Sequence, residues 1–315
     1  MLKKFTVFLL FVGLIAVIVG VVLSKGDFTE LKTTLKSQYT LEYEYKTFEG
    51  DGPINGVDID LTNNNVHLFY SEDETYFIDY HTAEEDSITV TVADGKILMK
   101  QVQYRWYKMI NFKYKTEAQR KVNIYLPVSF AGDINIDLTS GSVDFKNFTA
   151  NDVSIDAASG YIDLSNATVN NLDINLTSGK AQVSFLTANN INIDHTSGKV
   201  NLEGVIASKL LMNATSGNIN INNCDIDTVK INLTTGNIYI LSLVTDSIET
   251  YITSGNTTIT LVGNVDDYKA VLKRTVGYIS YNGNKYKNTT INPSGTKFIE
   301  AYCTSGEIKI NFIEG

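Results

Sequence analysis

Apolar and polar letters alternate along most of this chain, and the alternation is punctuated by a recurring glycine. Gly141, Gly160, Gly179, Gly198, Gly217, Gly236 and Gly255 follow one another at intervals of 19 residues, most of them preceded by Thr-Ser. Seven, five and three residues before the glycine stand Ile134, Ile136 and Leu138, then Val153, Ile155 and Ala157, then Leu172, Ile174 and Leu176. Two and four residues after it stand Val143 and Phe145, Ile162 and Leu164, Val200 and Leu202. A further apolar slot lies seven after it, at Phe148, Ala167, Leu186, Val205, Cys224, Leu243 and Val262. Period two on both sides of a turn predicts two short strands per repeat, with alternate side chains facing inward.

A fixed period near 20 marks a solenoid, in which each repeat buries its apolar face only against its neighbours. Glycine supplies the positive-φ backbone of a tight corner. The Thr and Ser beside it can hydrogen-bond neighbouring backbone from one coil to the next. Asp137, Asp156, Asn175, Asp194, Asn213 and Asn232 are expected to face outward. His195 occupies an inward slot that Leu or Ala fills elsewhere, which predicts a buried, hydrogen-bonded imidazole.

The stretch "VDIDLTNNNVHLFY" lines up with "INIDLTSGSVDF" and places Asn64 where the glycine stands, so the coils begin near Ile54. Residues 50–130 are expected to form an irregular β cap and the first coils, residues 131–262 the regular 19-residue solenoid, and residues 263–315 looser terminal coils. The triplet recurs at Gly306, where Ile308, Ile310 and Phe312 are expected to close the far end. Residues 1–4 read as a cytoplasmic tail and residues 24–49 as a stalk.

Between tail and stalk, Phe5 to Leu23 is uncharged. Nineteen residues in a helix extend about 28 Å, the thickness of a bilayer's hydrocarbon, so residues 5–23 predict an uncleaved single-pass anchor. Lys3 and Lys4 favour a cytoplasmic N-terminus, with the remainder outside the cell membrane.

Composition sharpens this picture. Thirty-five acidic against 26 basic side chains give a net charge of −9, which argues against a nucleic-acid partner. One segment departs from that average: Tyr104, Arg105, Trp106, Tyr107, Lys108, Phe112, Lys113, Tyr114 and Lys115 interleave cations with aromatics and include the chain's single Trp. That mixture suits a membrane interface, a wall polymer or a sugar, and makes the segment a candidate surface-binding loop.

Signals for catalysis, cofactors or metals are absent from the motifs. His67, His81 and His195 share no ligand spacing, and no P-loop, HExxH or G-x-S-x-G occurs. Cys224 and Cys303 fall on inward slots about four coils apart, too far for a disulfide, and read as buried thiols.

The Thr-Ser-Gly triplets between Ile/Val/Leu strands, with the "VNIYLP" strand ending at Leu126-Pro127, resemble the bacterial putative-adhesin family of β-solenoid domains of unknown function. The resemblance spans roughly residues 50–315. It implies an all-β, single-stranded β-helix, right-handed, with no catalytic residues to carry over. The function expected is that of a non-enzymatic, membrane-anchored envelope protein, adhesin-like or associated with envelope stress. Its partners would be a wall polymer, anionic lipid, a peptide or another envelope protein. Two other readings stand beside it: a self-assembling scaffold like the bactofilins, and a carbohydrate-active β-helix enzyme.

Overall fold

Strand dominates the computed structural model, which describes residues 41–84, 86–103 and 115–314. In chain order the elements are β1 (Glu44–Asp51), β2 (Gly56–Tyr70), β3 (Thr75–Thr82), β4 (Asp86–Ala93), β5 (Lys96–Gln103), the short helix α1 (Glu117–Arg120) and β6 (Lys121–Leu126). Then come β7 (Asp133–Thr149), β8 (Asp152–Thr168), β9 (Asn171–Glu203), β10 (Ile206–Val244), β11 (Ser247–Val262), β12 (Tyr268–Tyr281), β13 (Asn284–Tyr286), β14 (Thr289–Ile291) and β15 (Lys297–Ile313). The strands share one sheet. Among the described residues no helix is long and apolar enough to cross a membrane, and the span expected at residues 5–23 lies outside them.

The middle of the sheet is a solenoid-like stack. Each segment pairs in parallel with the segment 19 residues further on: Ile136 lies over Ile155, and Ile155 over Ile174. All three are buried, in a continuous apolar interior that runs from Ile54 to Ile310. Parallel ladders covered by side chains on the inner face explain why most inward slots hold Ile, Val or Leu.

The glycine column has a stricter cause than a turn. Gly141 to Gly255 hold φ between 131° and 151°, a region open to glycine and closed to other residues. A Cβ on Gly160 would also run into the backbone carbonyl of Gly141, and one on Gly179 into that of Gly160. Each glycine therefore leaves room for the previous one. Asn64 heads the column and does not adopt a positive φ, contrary to the left-handed corner expected of it. It is fully buried, and its side chain donates to the carbonyl of Arg120 on the neighbouring rung.

A second positive-φ column escaped the sequence reading. Asn147, Asn166, Phe185, Gly204, Asn223 and Ser242, each six residues after a corner glycine, have φ between 51° and 61°. They turn the chain so that the slot seven after the glycine points inward again. In the pairing of β10 with β11 the register shifts between Ile240 and Leu243 of β10, and Leu261 fills the core place expected of Val262.

The two ends depart from chain order. At the first, β5 and β6 together form a rung beside β2, while β3 and β1 add antiparallel outside β6. Residues 44–49, expected as stalk, are thus part of an edge strand. At the other end β15 is inserted between β11 and β12, pairing in parallel with both. Ile308 and Ile310 therefore lie inside the stack, and β12 with β13 and β14 covers the end they were expected to close. Gly277, a corner glycine the sequence reading passed over, stacks on Gly306, which stacks on Gly255.

Candidate functional site

A shallow groove of about 910 Å³ runs along the regular coils. Two outward rows line it, because residues four and two before each corner glycine share one face of the strand. The first row is Asp137, Asp156, Asn175, Asp194, Asn213, Asn232, Tyr251 and Tyr302, and the second includes Thr139, Thr177, Thr196, Thr215, Thr234 and Thr253. Between them the chain dips inward at Leu138, Ala157, Leu176, His195, Ala214, Leu233 and Ile252.

The rungs position these groups one above another. Asn213 donates to Asp194 at 2.8 Å and Asn232 to Asn213 at 2.8 Å, so the carboxamides form a ladder that fixes their orientation. Each ladder Asn uses one N–H along the row and keeps a second for another acceptor. At one end Asp60, Asp137 and Asp156 are in register on consecutive rungs. Partial burial pushes the Asp137 carboxyl above the usual carboxylate range, and the charges of Asp60 and Asp156 add to the rise. At the other end Tyr251 lies in register with Tyr302 and donates to Glu300 at 2.8 Å. Burial, then that carboxylate, pushes the Tyr251 phenol up to about 12.

His195 is buried, as expected, but its Nε2 has no hydrogen-bond partner. Desolvation holds its pKa down against the backbone contacts with Gly179 and Ser197, so the ring is neutral at pH 7. Cys224 and Cys303 are buried free thiols, separated by three rungs rather than four because β15 follows β11 directly in the stack. Among the described residues no group of three His, Cys, Asp or Glu side chains is placed to hold a metal ion.

Of the candidate loop, Tyr104, Arg105, Trp106, Tyr107, Lys108, Phe112, Lys113 and Tyr114 lie outside the described residues. Lys115 is described, and it does not face solvent. Its ammonium contacts Asp86 at 2.8 Å, with the two side chains only 5% and 11% exposed, and reaches Asn64 Oδ1 at 3.4 Å. Burial alone would raise the Asp86 carboxyl, but Lys115, Tyr43 and Gln101 together hold it below its ordinary value. Lys115 is therefore a structural anchor beneath the head of the glycine column. Its charge misled the sequence reading because the partner carboxylate lies 29 residues away.

A solved structure shares this fold. A protein from Parabacteroides distasonis described as a putative lipid binding protein is 13% identical, with a TM-score of 0.52 over 86% of this chain and 97% of its own. A putative adhesin from Bacteroides fragilis is 14% identical, with a TM-score of 0.48 over 85% of this chain and 97% of its own. No curated protein matches the sequence. The profile of the Toastrack DUF4097 family matches residues 54–311, well over half of the chain, and the chain belongs to that family.

Proposed function

We propose that this protein is a non-enzymatic, adhesin-like column of the cell envelope, held to the membrane by residues 5–23 and making its contacts along its side. The column itself is read as a single-stranded β-helix of 19-residue coils, right-handed as parallel crossovers almost always are. The observation that carries the proposal is the lateral groove on a stack whose two ends are occupied by β1 and β3 and by β13 and β14. Covered ends weigh against end-to-end polymerisation of the bactofilin kind. Catalysis on a glycan usually needs two carboxyl groups flanking the scissile bond. Here Asp137, Asp156 and Asp194 stand in one row along the groove, so the carbohydrate-active reading stays as the second alternative. The aromatic and basic residues from Tyr104 to Tyr114 supply a second candidate contact, suited to anionic headgroups or wall polymer.

The test compares the full chain with a chain lacking residues 5–23 in bacterial cells. The full chain is expected to sediment with membranes, to be cleaved by protease added to spheroplasts, and to be retained on isolated envelopes. Recovery of the full chain in the soluble fraction, or its protection from external protease, would overturn the reading.

A further inference from the structure

We infer that the lateral groove binds a linear, uncharged, β-linked polysaccharide, laid along the stack with successive sugars on successive rungs. This rests on the reading of the protein as a side-binding envelope column and names what the side takes.

The first argument is dimension. Eight rungs from Asp137 to Tyr302 line the groove, and at ~4.8 Å per rung they extend about 34 Å. A straight open trough with a short chemical repeat fits a polymer of similar repeat better than a compact metabolite. An extended β-linked glycan advances by nearly one rung per sugar.

The second argument is chemistry. Carboxylates, carboxamides and threonine hydroxyls alternate across the groove, offering acceptors and donors to a ligand covered in hydroxyls. The ladder from Asp194 through Asn213 to Asn232 holds those groups in place before a ligand arrives. At the far end Tyr251 and Tyr302 lie in register on adjacent rungs, with Tyr302 37% exposed, offering aromatic surface to the face of a sugar ring.

The third argument is exclusion. Asp137, Asp156 and Asp194 line the groove and, among the described residues, no Lys or Arg does, so phosphate- or uronate-bearing polymers and anionic lipid headgroups are repelled. An extended peptide would need free backbone groups for strand addition. Those of the groove strands are already spent on the neighbouring rungs. Acyl chains would need an enclosed apolar tunnel, whereas this groove is shallow and open and its apolar floor is rimmed by Asp, Asn and Thr.

The experiment is calorimetric titration of the detergent-solubilised full chain with cello- and chitin-oligosaccharides of two to six sugars, with polygalacturonate and anionic vesicles in parallel. Affinity is expected to rise at least tenfold from the disaccharide to the hexasaccharide. Tyr302→Ala and, separately, Thr196→Ala with Thr215→Ala are each expected to weaken hexasaccharide binding at least fivefold, at an unchanged urea midpoint. Absence of binding by both hexasaccharides at millimolar concentration would overturn the inference, as would affinity independent of chain length or unaffected by either groove variant. Preference for polygalacturonate or vesicles would overturn it in favour of an anionic ligand. Retention of the full chain on isolated envelopes is read separately, so loss of the glycan site leaves the envelope reading standing, and the reverse.

Discussion

The backbone carbonyl of Gly141 occupies the space a Cβ on Gly160 would need. The same relation repeats from Gly160 to Gly179 and on through the column, so each corner is locked to the one before it. Gly179→Ala must both strain its own backbone and push a rung away. It is expected to cost more than about 3 kcal/mol in urea unfolding. Asn166→Gly, at a positive φ of 52° that both residues accept, is expected to change stability by less than about 1 kcal/mol. Equal effects of the two substitutions would remove the steric account of the triplet.

The ion pair of Lys115 and Asp86 gives a second expectation. Asp86→Asn or Lys115→Met strands one buried charge and is expected to cost about 3–5 kcal/mol. The double variant Lys115→Met with Asp86→Leu should cost clearly less than the sum of the single substitutions. The Asp86 carboxyl is held below its unfolded value, so its contribution is complete above about pH 4 and fades as pH falls through the lower folded value. Urea midpoints measured from pH 6 to pH 2 should show that acid slope in the native chain, and a shallower one in Asp86→Asn.

Asp137 predicts the opposite sign. Burial and its neighbours Asp60 and Asp156 raise its pKa in the fold, so the stabilising form is the protonated one, and that advantage is lost as pH rises through the folded value. Asp137→Asn should therefore stabilise the protein at pH 7, by no more than about 0.5 kcal/mol because solvent screens the exposed row. The gain should vanish near pH 3. Thermal unfolding at the two pH values checks it.

The inserted strand β15 predicts a specific failure on truncation. Removing residues 297–315 leaves β11 and β12 facing an empty slot, each with a parallel edge unpaired. The truncated chain is expected to aggregate or exchange strands between copies. A labelled peptide of residues 297–315 should bind it and restore its solubility, whereas a scrambled peptide should not. A truncated chain that stays monomeric with an unchanged urea midpoint would contradict the topology.

The regular coils were legible because every rung meets the same neighbours, so one environment is written out repeatedly in Ile136, Ile155 and Ile174. The second corner column was hidden because a φ near 55° admits Asn, Ser and even Phe185, and no single letter repeats there. Three asparagines at the same offset, Asn147, Asn166 and Asn223, were the available signal. The place of β15 was illegible for another reason. The coils around Gly277 and Gly306 carry similar local patterns, and only long-range packing decides which stacks on Gly255. The outward direction of the Asp/Asn row was foreseen, but its concavity with the threonine row depends on the shape of the corner, which no residue type announces.

Synthesis and assembly run in different orders at one end of this molecule. A ribosome delivers β12 before β15, yet β15 is the neighbour that joins β12 to everything translated earlier. While those residues are still in the exit tunnel, the nascent chain can propagate its coils only as far as β11. The strand β15 is thus a keystone fitted from behind, and the nascent chain carries an unfinished tip until translation has passed residue 313.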